Sequence, residues 1–117
     1  MAERFDLTRD YDRAIDQGAD FVLTLTFKDD QGQAIDISSN TYDGDLKRTY
    51  EDAAAAESFD FAQPGGGTDG VLTVSLSDTK TAGLDPGTYV YDIRELSGGL
   101  YTRLFEGIAE VTKGVTT

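Results

Sequence analysis

Apolar and polar residues alternate along most of this chain, which is the pattern of half-buried β-strands. The clearest run is FVLTLTFKD at residues 21–29, and its alternate residues share one face: Phe21, Leu23, Leu25 and Phe27. The segment VLTVSLS at 71–77 repeats the pattern, with Leu72, Val74 and Leu76 inward. The segment TYVYDIREL at 88–96 places Tyr89, Tyr91 and Ile93 on one face. Together these runs predict an all-β chain of about seven or eight short strands.

Three further segments are predicted as strands with less regular patterns. In residues 40–52, NTYDGDLKRTYED, the expected inward residues are Tyr42, Leu46 and Tyr50. SFDFAQ at 58–63 directs two phenylalanines inward, and residues 4–16 begin with a short strand before an exposed, irregular stretch. In LYTRLFEGIAEVT at 100–112, the two ends alternate in opposite phases. A β-bulge near Gly107 would reconcile them, since glycine within a strand often marks a bulge.

Turn residues separate these strands. DDQGQ at 29–33 predicts a hairpin into AIDI at 34–37, and SGG at 97–99 closes another hairpin. PGGGTDG at 64–70 is typical of a mobile loop tip. SDTKTAGL at 77–84 predicts one helical turn, with Ser77 as N-cap and Gly83 as the C′ residue. DAAAAE at 52–57 is too short for a stable helix and predicts a crossing turn.

The segment LDPGTYVYDI at 84–93 contains the spacing Asp85-x-Gly87-x-Tyr89-x-Tyr91. In immunoglobulin-like (Ig-like) domains a similar run opens strand F, and its tyrosine hydroxyl bonds back to the backbone as a "tyrosine corner". Here Tyr91 takes the position of the usual cysteine, and the chain contains no cysteine. We therefore predict a single domain over residues 1–117, a disulfide-free, antiparallel Ig-like β-sandwich with one or two short helical turns. The four motif residues are expected to be structural.

The composition of the chain excludes several classes of function. The chain has no histidine and no cysteine, so Ser-His-Asp triads, Cys-His pairs and the common zinc sites are excluded. We expect no enzyme, no catalytic residues and no cofactor. The net charge of −12 makes nucleic acid and anionic membrane surfaces poor partners, and no stretch has the roughly 18 apolar residues that span a bilayer.

Two ligand classes remain open as alternatives. Asp43 and Asp45 share a strand face that could hold calcium, although solubility of an edge strand explains them equally well. A carbohydrate-binding module would use exposed aromatic faces, and the candidates are Tyr11, Tyr42, Tyr50 and Tyr101. Most of these tyrosines fall at inward positions, so core packing is the better explanation.

The segment GLYTRLFEG at 99–107 raises a separate question. Tyr101, Arg103 and Phe105 alternate and are predicted to share one strand face. If that face is exposed, it is a candidate protein-binding surface, since Tyr and Arg are enriched at interface hot spots. If it is buried, Phe105 belongs to the core and Arg103 lies at its rim.

Several segments in order resemble a widespread group of small structural proteins of tailed bacteriophages, including cyanophages and other marine phages. The most specific are QGADFVLTLTF at 17–27, LDPGTYVYDI at 84–93 and TRLFEGIAEVT at 102–112. The group is similar to the N-terminal domain of phage baseplate upper proteins and adopts Ig-like sandwiches. The resemblance implies a non-catalytic virion protein, made in the host cytoplasm and associated with the tail or baseplate. A head-decoration or capsid-associated protein is the alternative.

The partners expected from this resemblance are other phage structural proteins, contacted by multiple copies under the particle's symmetry. In the larger baseplate proteins further domains follow, whereas this chain stops at Thr117, so we expect an assembly role rather than direct receptor binding. Two docking segments are predicted, residues 4–13 and 101–111. The candidate contact residues are Arg4, Phe5, Arg9, Tyr11, Arg13, Tyr101, Arg103 and Phe105.

Overall fold

The alternating strands assemble into two sheets that enclose one apolar core. The computed structural model describes residues 3–11, 13–52 and 54–113. Its strands are β1 (Glu3–Arg4), β2 (Ile15–Asp16), β3 (Phe21–Thr26), β4 (Thr41–Lys47), β5 (Glu57–Ser58), β6 (Asp60–Ala62), β7 (Val71–Leu76), β8 (Gly87–Ser97) and β9 (Leu100–Thr112). A 3-10 turn (Arg9–Tyr11) lies between β1 and β2, and helix α1 (Asp78–Ala82) lies between β7 and β8.

The larger sheet has the order β1-β9-β8-β4-β5, with β2 also beside β9, and the smaller sheet has the order β3-β7-β6. This arrangement confirms the predicted all-β sandwich. The sheets are antiparallel as predicted except at the N-terminal segment, where β1 and β2 pair with β9 in parallel. The structure has more strands than the seven or eight predicted, because this segment forms two strands and because the chain changes sheets at Phe59. That change divides segment 58–63 between β5 and β6.

The core is formed by the predicted inward faces of the strands. All three inward residues of β7 are almost completely inaccessible, and those of β8 are at most 3% exposed. The buried apolar residues are Leu7, Ile15, Phe21, Ile37, Leu46, Phe59, Leu72, Val74, Leu76, Leu84, Tyr89, Tyr91, Ile93, Ala109 and Val111. Since each large apolar side chain contributes about 1.5–3 kcal/mol when fully buried, this shared core is the main source of stability.

The tyrosine corner has the predicted geometry. The Tyr89 hydroxyl donates to the carbonyl oxygen of Asp85 at 2.7 Å. Gly87 has a φ of 141°, and a Cβ at this position would lie 2.7 Å from a guanidinium nitrogen of Arg48. The same guanidinium lies 4.6 Å from the centre of the Tyr89 ring. The positive φ favours glycine at this position, and a larger residue would also displace the arginine that covers the tyrosine.

Tyr91 occupies the interior as expected for a residue at the cysteine position. Its ring meets Phe59 edge-on with the centroids 5.9 Å apart, and 2% of the residue is exposed. Its hydroxyl donates to the carbonyl oxygen of Phe5, which joins the N-terminal segment to the interior. The hydroxyl thus satisfies a backbone acceptor next to the core.

The last strand contains a bulge, but at a different residue from the one predicted. Ile93 pairs with Phe105 while Arg94 pairs with Arg103, so Leu104 is the additional residue. Gly107 lies opposite Tyr91 in regular pairing. Its missing side chain makes room for the N-terminal segment, since a Cβ there would lie 2.7 Å from the carbonyl oxygen of Phe5.

The connections agree with the sequence in part. Ser77 caps α1 by accepting from the Lys80 N–H at 3.3 Å, as predicted. Gly83 is the C-cap with a right-handed φ of −83° and not a left-handed C′ residue. The hairpin predicted at residues 29–37 forms only one antiparallel bridge, between Lys28 and Ala34, and residues 34–37 do not form a strand. The segment 52–57 contains no helix among its described residues, and residue 53 lies outside them.

Replacing Tyr89 with Phe tests the corner. The change removes a hydroxyl that donates to backbone and leaves the ring in place, so we expect the free energy of unfolding to fall by about 1 kcal/mol. Urea denaturation measures it. Tyr50→Phe is the matched control, because Tyr50 is 64% exposed. Equal stability of the two variants would show that the corner hydrogen bond contributes nothing.

Alkaline pH tests the interior tyrosines. Burial raises the pKa of Tyr91, and burial followed by the acceptor carboxylate of Glu95 raises the pKa of Tyr42. Both exceed the unfolded value of about 10, so the unfolded state releases protons first and stability falls as pH rises above about 10. Phenolate absorbance combined with urea denaturation at each pH measures the effect. The Tyr42→Phe/Tyr91→Phe variant should show a shallower fall, and an equal slope would contradict this assignment.

Candidate functional site

The outward face of the larger sheet carries charged side chains in cross-strand rows. In one row, Asp43 on β4, Arg94 on β8 and Arg103 on β9 are neighbours in register. The guanidinium of Arg94 donates to both carboxylate oxygens of Asp43, at 2.8 and 2.7 Å. This bidentate bond raises the pKa of Arg94 above its ordinary value and fixes the orientation of both groups.

The next row contains three acidic residues in succession. They are Asp45, Asp92 and Glu106, which are also neighbours in register. Arg103 lies beside this row, 3.4 Å from Asp92 and 3.7 Å from Glu106, while Asp45 accepts from the Ser58 hydroxyl at 2.8 Å. Exposed ion pairs add little stability, so these charged rows contribute little to holding the fold.

A shallow concavity of about 440 Å³ lies over β4 and β8 on this face. Its lining combines carboxylates, cations and one exposed aromatic ring: Asp43, Gly44, Asp45, Lys47, Tyr50, Val90, Tyr91, Asp92, Arg94 and Arg103. The concavity is open to solvent, so a ligand bound there would be contacted from one side only.

The β8–β9 hairpin extends this face with exposed apolar surface. Leu100 and Tyr101 are 74% and 58% exposed. The Arg94 guanidinium lies 4.2 Å from the centre of the Tyr101 ring, so one arginine joins a carboxylate on one side to an aromatic ring on the other.

The prediction that Tyr101, Arg103 and Phe105 share a face is wrong, because the bulge at Leu104 separates them. Tyr101 and Arg103 are exposed, and Arg103 makes its ion pairs on the outward face. Phe105 is half-buried and packs against the core, with its ring 5.8 Å from that of Phe5. Phe105 packs against the core, as the alternative of a buried face predicts, whereas Arg103 lies on the outward face and not at the rim of the core.

Arg4 and Arg9 lie in the N-terminal segment, which runs alongside β9. Arg4 is next to Glu106 in register and forms an ion pair with Asp6 at 3.0 Å, so it adds a cation to the outward face. Arg9 is exposed, and its backbone N–H donates to a carboxylate oxygen of Glu110 at 2.9 Å.

Phe5, Tyr11 and Arg13 form a stack instead. The Arg13 guanidinium lies 3.8 Å from the centre of the Phe5 ring and 4.9 Å from that of Tyr11. The Arg13 Nε is buried and has no hydrogen-bond partner among the described residues. Phe5 packs against the core, whereas Tyr11 is 59% exposed. Within this stack, only Tyr11 presents a large exposed surface.

The exposed tyrosines correct the expectation of core packing. That expectation holds for Tyr42, which stacks between Phe27 and Phe61 at centroid distances of 6.4 and 6.2 Å. It is wrong for Tyr11, Tyr50 and Tyr101. Tyr50 is predicted inward by alternation, but β4 ends at Lys47 and the alternation ends with it.

Aspartate side chains in the turns accept hydrogen bonds from nearby backbone N–H groups. Asp29 accepts from the N–H groups of Gln31 and Gln33 at 2.9 and 3.0 Å. Bonds from Ser38 lower the pKa of Asp36. Among the described residues, no group of three or more potential ligands is placed to hold a metal ion. Nor does any described helix have the length and apolar character needed to cross a bilayer.

Comparisons with known proteins add no assignment. No protein-family model matches the chain, and no curated protein matches it.

Sequence reasoning missed the partnership of Asp43 and Arg94 across β4 and β8. Alternation directs both side chains outward, and both are exposed, but their contact depends on the register between strands far apart in sequence. A charge pattern of opposite sign on two outward faces was the available signal. It does not specify which residues meet.

Gly107→Ala tests how the N-terminal segment is held on β9. The added Cβ would lie 2.6 Å from a carboxylate oxygen of Asp6 and 2.7 Å from the Phe5 carbonyl oxygen. We expect a loss of about 1–3 kcal/mol in unfolding free energy and faster amide exchange at Leu7. Gly83→Ala is the control, since its nearest contact would be 3.6 Å. Unchanged amide exchange at Leu7 would contradict the view that the missing side chain of Gly107 lets the N-terminal segment lie against β9.

Proposed function

We propose that this protein is a non-catalytic structural protein of a tailed-bacteriophage particle. It acts as an assembly or adaptor module of the tail or baseplate and docks onto another virion protein. The bacteriophage assignment rests on the resemblance of segments 17–27, 84–93 and 102–112 to small phage structural proteins.

The strand order supports the Ig-like part of this proposal. The smaller sheet, β3-β7-β6, corresponds to strands B, E and D, and β9-β8-β4-β5 corresponds to G, F, C and C′. The tyrosine corner then lies at the start of strand F, where such domains carry it.

The observation that carries the docking proposal is the pre-ordered group on the outward face. Tyr101 is exposed beside Arg94, and Arg94 is fixed by its bidentate bond to Asp43. Aromatic and arginine side chains held in one orientation lose little conformational entropy on binding and are typical hot spots. This face is therefore the proposed docking surface, and it includes the acidic row: Arg4, Asp43, Asp45, Asp92, Arg94, Tyr101, Arg103 and Glu106.

The charge of the protein indicates the character of its partner. The net charge of −12 and the acidic row beside Arg103 favour a basic patch on a neighbouring tail or baseplate protein. Repetition of the docking contact by particle symmetry would convert a weak single contact into stable attachment.

Immunogold electron microscopy of particles of the encoding phage tests the location, using antibody raised against this chain. We expect label at the tail end. Label over the head would support the decoration alternative instead, and particles without label would overturn the virion assignment.

Tyr101→Ala combined with Arg103→Ala tests the docking surface. We expect about tenfold less protein on purified particles when it is supplied at limiting concentration, which corresponds to about 1.4 kcal/mol of binding free energy. Quantitative immunoblotting of gradient-purified particles measures this. Ile35→Ala is the control, because it removes an exposed apolar side chain that lies outside both predicted docking segments. Equal incorporation of the two variants would place the docking surface elsewhere.

One observation favours a carbohydrate-binding module as the second candidate. Tyr50 is 64% exposed at the concavity, beside carboxylates that could accept hydrogen bonds from sugar hydroxyls. The chain has no tryptophan, so a saturable change in tyrosine fluorescence would report binding directly. This candidate predicts such a change with host glycans and its loss in Tyr50→Ala, whereas an assembly protein ignores sugars.

A further inference from the structure

One edge of the smaller sheet is open. β3 pairs with β7 along one side, and no other described strand lies along its other side. Just beyond β3, the Phe27 N–H donates to the Gly70 carbonyl at 2.8 Å. Since backbone groups alternate in direction along an antiparallel strand, those of Val22, Thr24 and Thr26 point away from β7. None of these three is hydrogen-bonded to another described residue on the open side.

This edge lacks the protection that the other described edges have. β5 and β1 contain two residues each, and β6 contains three, with Asp60 engaged by Lys80 at 3.1 Å. β3 contains six residues, and residues 21–27 carry no charge in a chain of net charge −12. Proline, lysine and bulges normally block such an edge, and this segment contains none of them.

We propose that β3 is a self-association edge, at which a second copy of this chain adds its own β3 in antiparallel orientation about a two-fold axis at Thr24. Val22 then lies opposite Thr26 of the second copy, and Thr24 lies opposite its own equivalent. Each opposed pair exchanges two N–H···O bonds, giving about six in total. The two small sheets become one continuous sheet across the dimer.

Charge complementarity selects this occupant and this register. Asp20 lies four residues before Thr24 and Lys28 lies four residues after it, so each Asp20 meets the Lys28 of the second copy. Both side chains are exposed, and Lys28 forms no ion pair with any described residue. One Asp20 oxygen accepts from the Asp78 N–H at 2.7 Å, which leaves the other oxygen for lysine.

The inward side chains favour the same pairing. Leu23 and Leu25 are only half-buried although they lie on the core side of β3. In the proposed register each Leu23 lies opposite a Leu25 of the second copy, so the association covers apolar surface that the single chain leaves accessible. This edge is on the opposite sheet from the docking surface, and its test does not depend on the proposed function.

Sedimentation equilibrium of the full chain over about 1–300 μM tests the proposal. We expect a reversible monomer–dimer equilibrium, with slower amide exchange at Val22, Thr24 and Thr26 as concentration rises. A chain that stays monomeric over this range would overturn the proposal.

Two pairs of variants locate the interface. Thr24→Pro removes an outward N–H and should weaken the dimer at least about tenfold, whereas Thr24→Val keeps the N–H and should preserve it. Lys28→Glu places like charges opposite each other and should also weaken it, whereas Lys28→Arg should not. Because Lys28 is exposed outside the strand, this second pair remains informative if Thr24→Pro fails to fold. A dimer that survives Lys28→Glu, and Thr24→Pro where that variant folds, is held by another surface and overturns the proposal.

Discussion

Strands β8 and β9 pair along all eleven residues of β8, and most of the larger sheet is attached to one strand or the other. β4 joins β8, while β1 and β2 join β9. This ladder also carries Tyr89 and Tyr91, whose hydroxyls bind the preceding turn and the N-terminal segment. The chain has no cysteine, so no disulfide joins its sheets. Hydrogen-bonded aromatic side chains instead connect distant parts of the chain to one hairpin.

The two sheets present different chemistry to their surroundings. The outward face of the larger sheet is ordered by charge, with Arg94 fixed between a carboxylate and an aromatic ring. The smaller sheet ends at an uncharged strand, and on one side its backbone bonds to no other residue that the structure describes. Directional side chains select a partner, and free backbone groups accept another strand. The two proposed contacts therefore differ in kind, one to a neighbour of another type through side chains and one to a second copy through backbone.

Local patterns predicted the parts of this fold that depend on local physics. The inward faces of β3, β7 and β8 follow from alternation, and the corner at Tyr89 follows from the turn chemistry before it. The position of the bulge did not follow, because it depends on which residue of β9 meets Ile93. The candidate site shares this limit. Its residue types were visible in the sequence, but the bulge at Leu104 decided which of them lie on one face.

The parallel pairing of the first strands with the last one has a consequence for biosynthesis. Asp6 accepts from the Ile108 N–H across 102 residues of chain, and Leu7 and Ile15 are buried beside β9. Contacts of such separation cannot form before β9 itself has been synthesised and has left the ribosome. The N-terminal apolar residues therefore remain without their native neighbours until that point. The first segment of this domain to be synthesised is thus among the last to reach its native place.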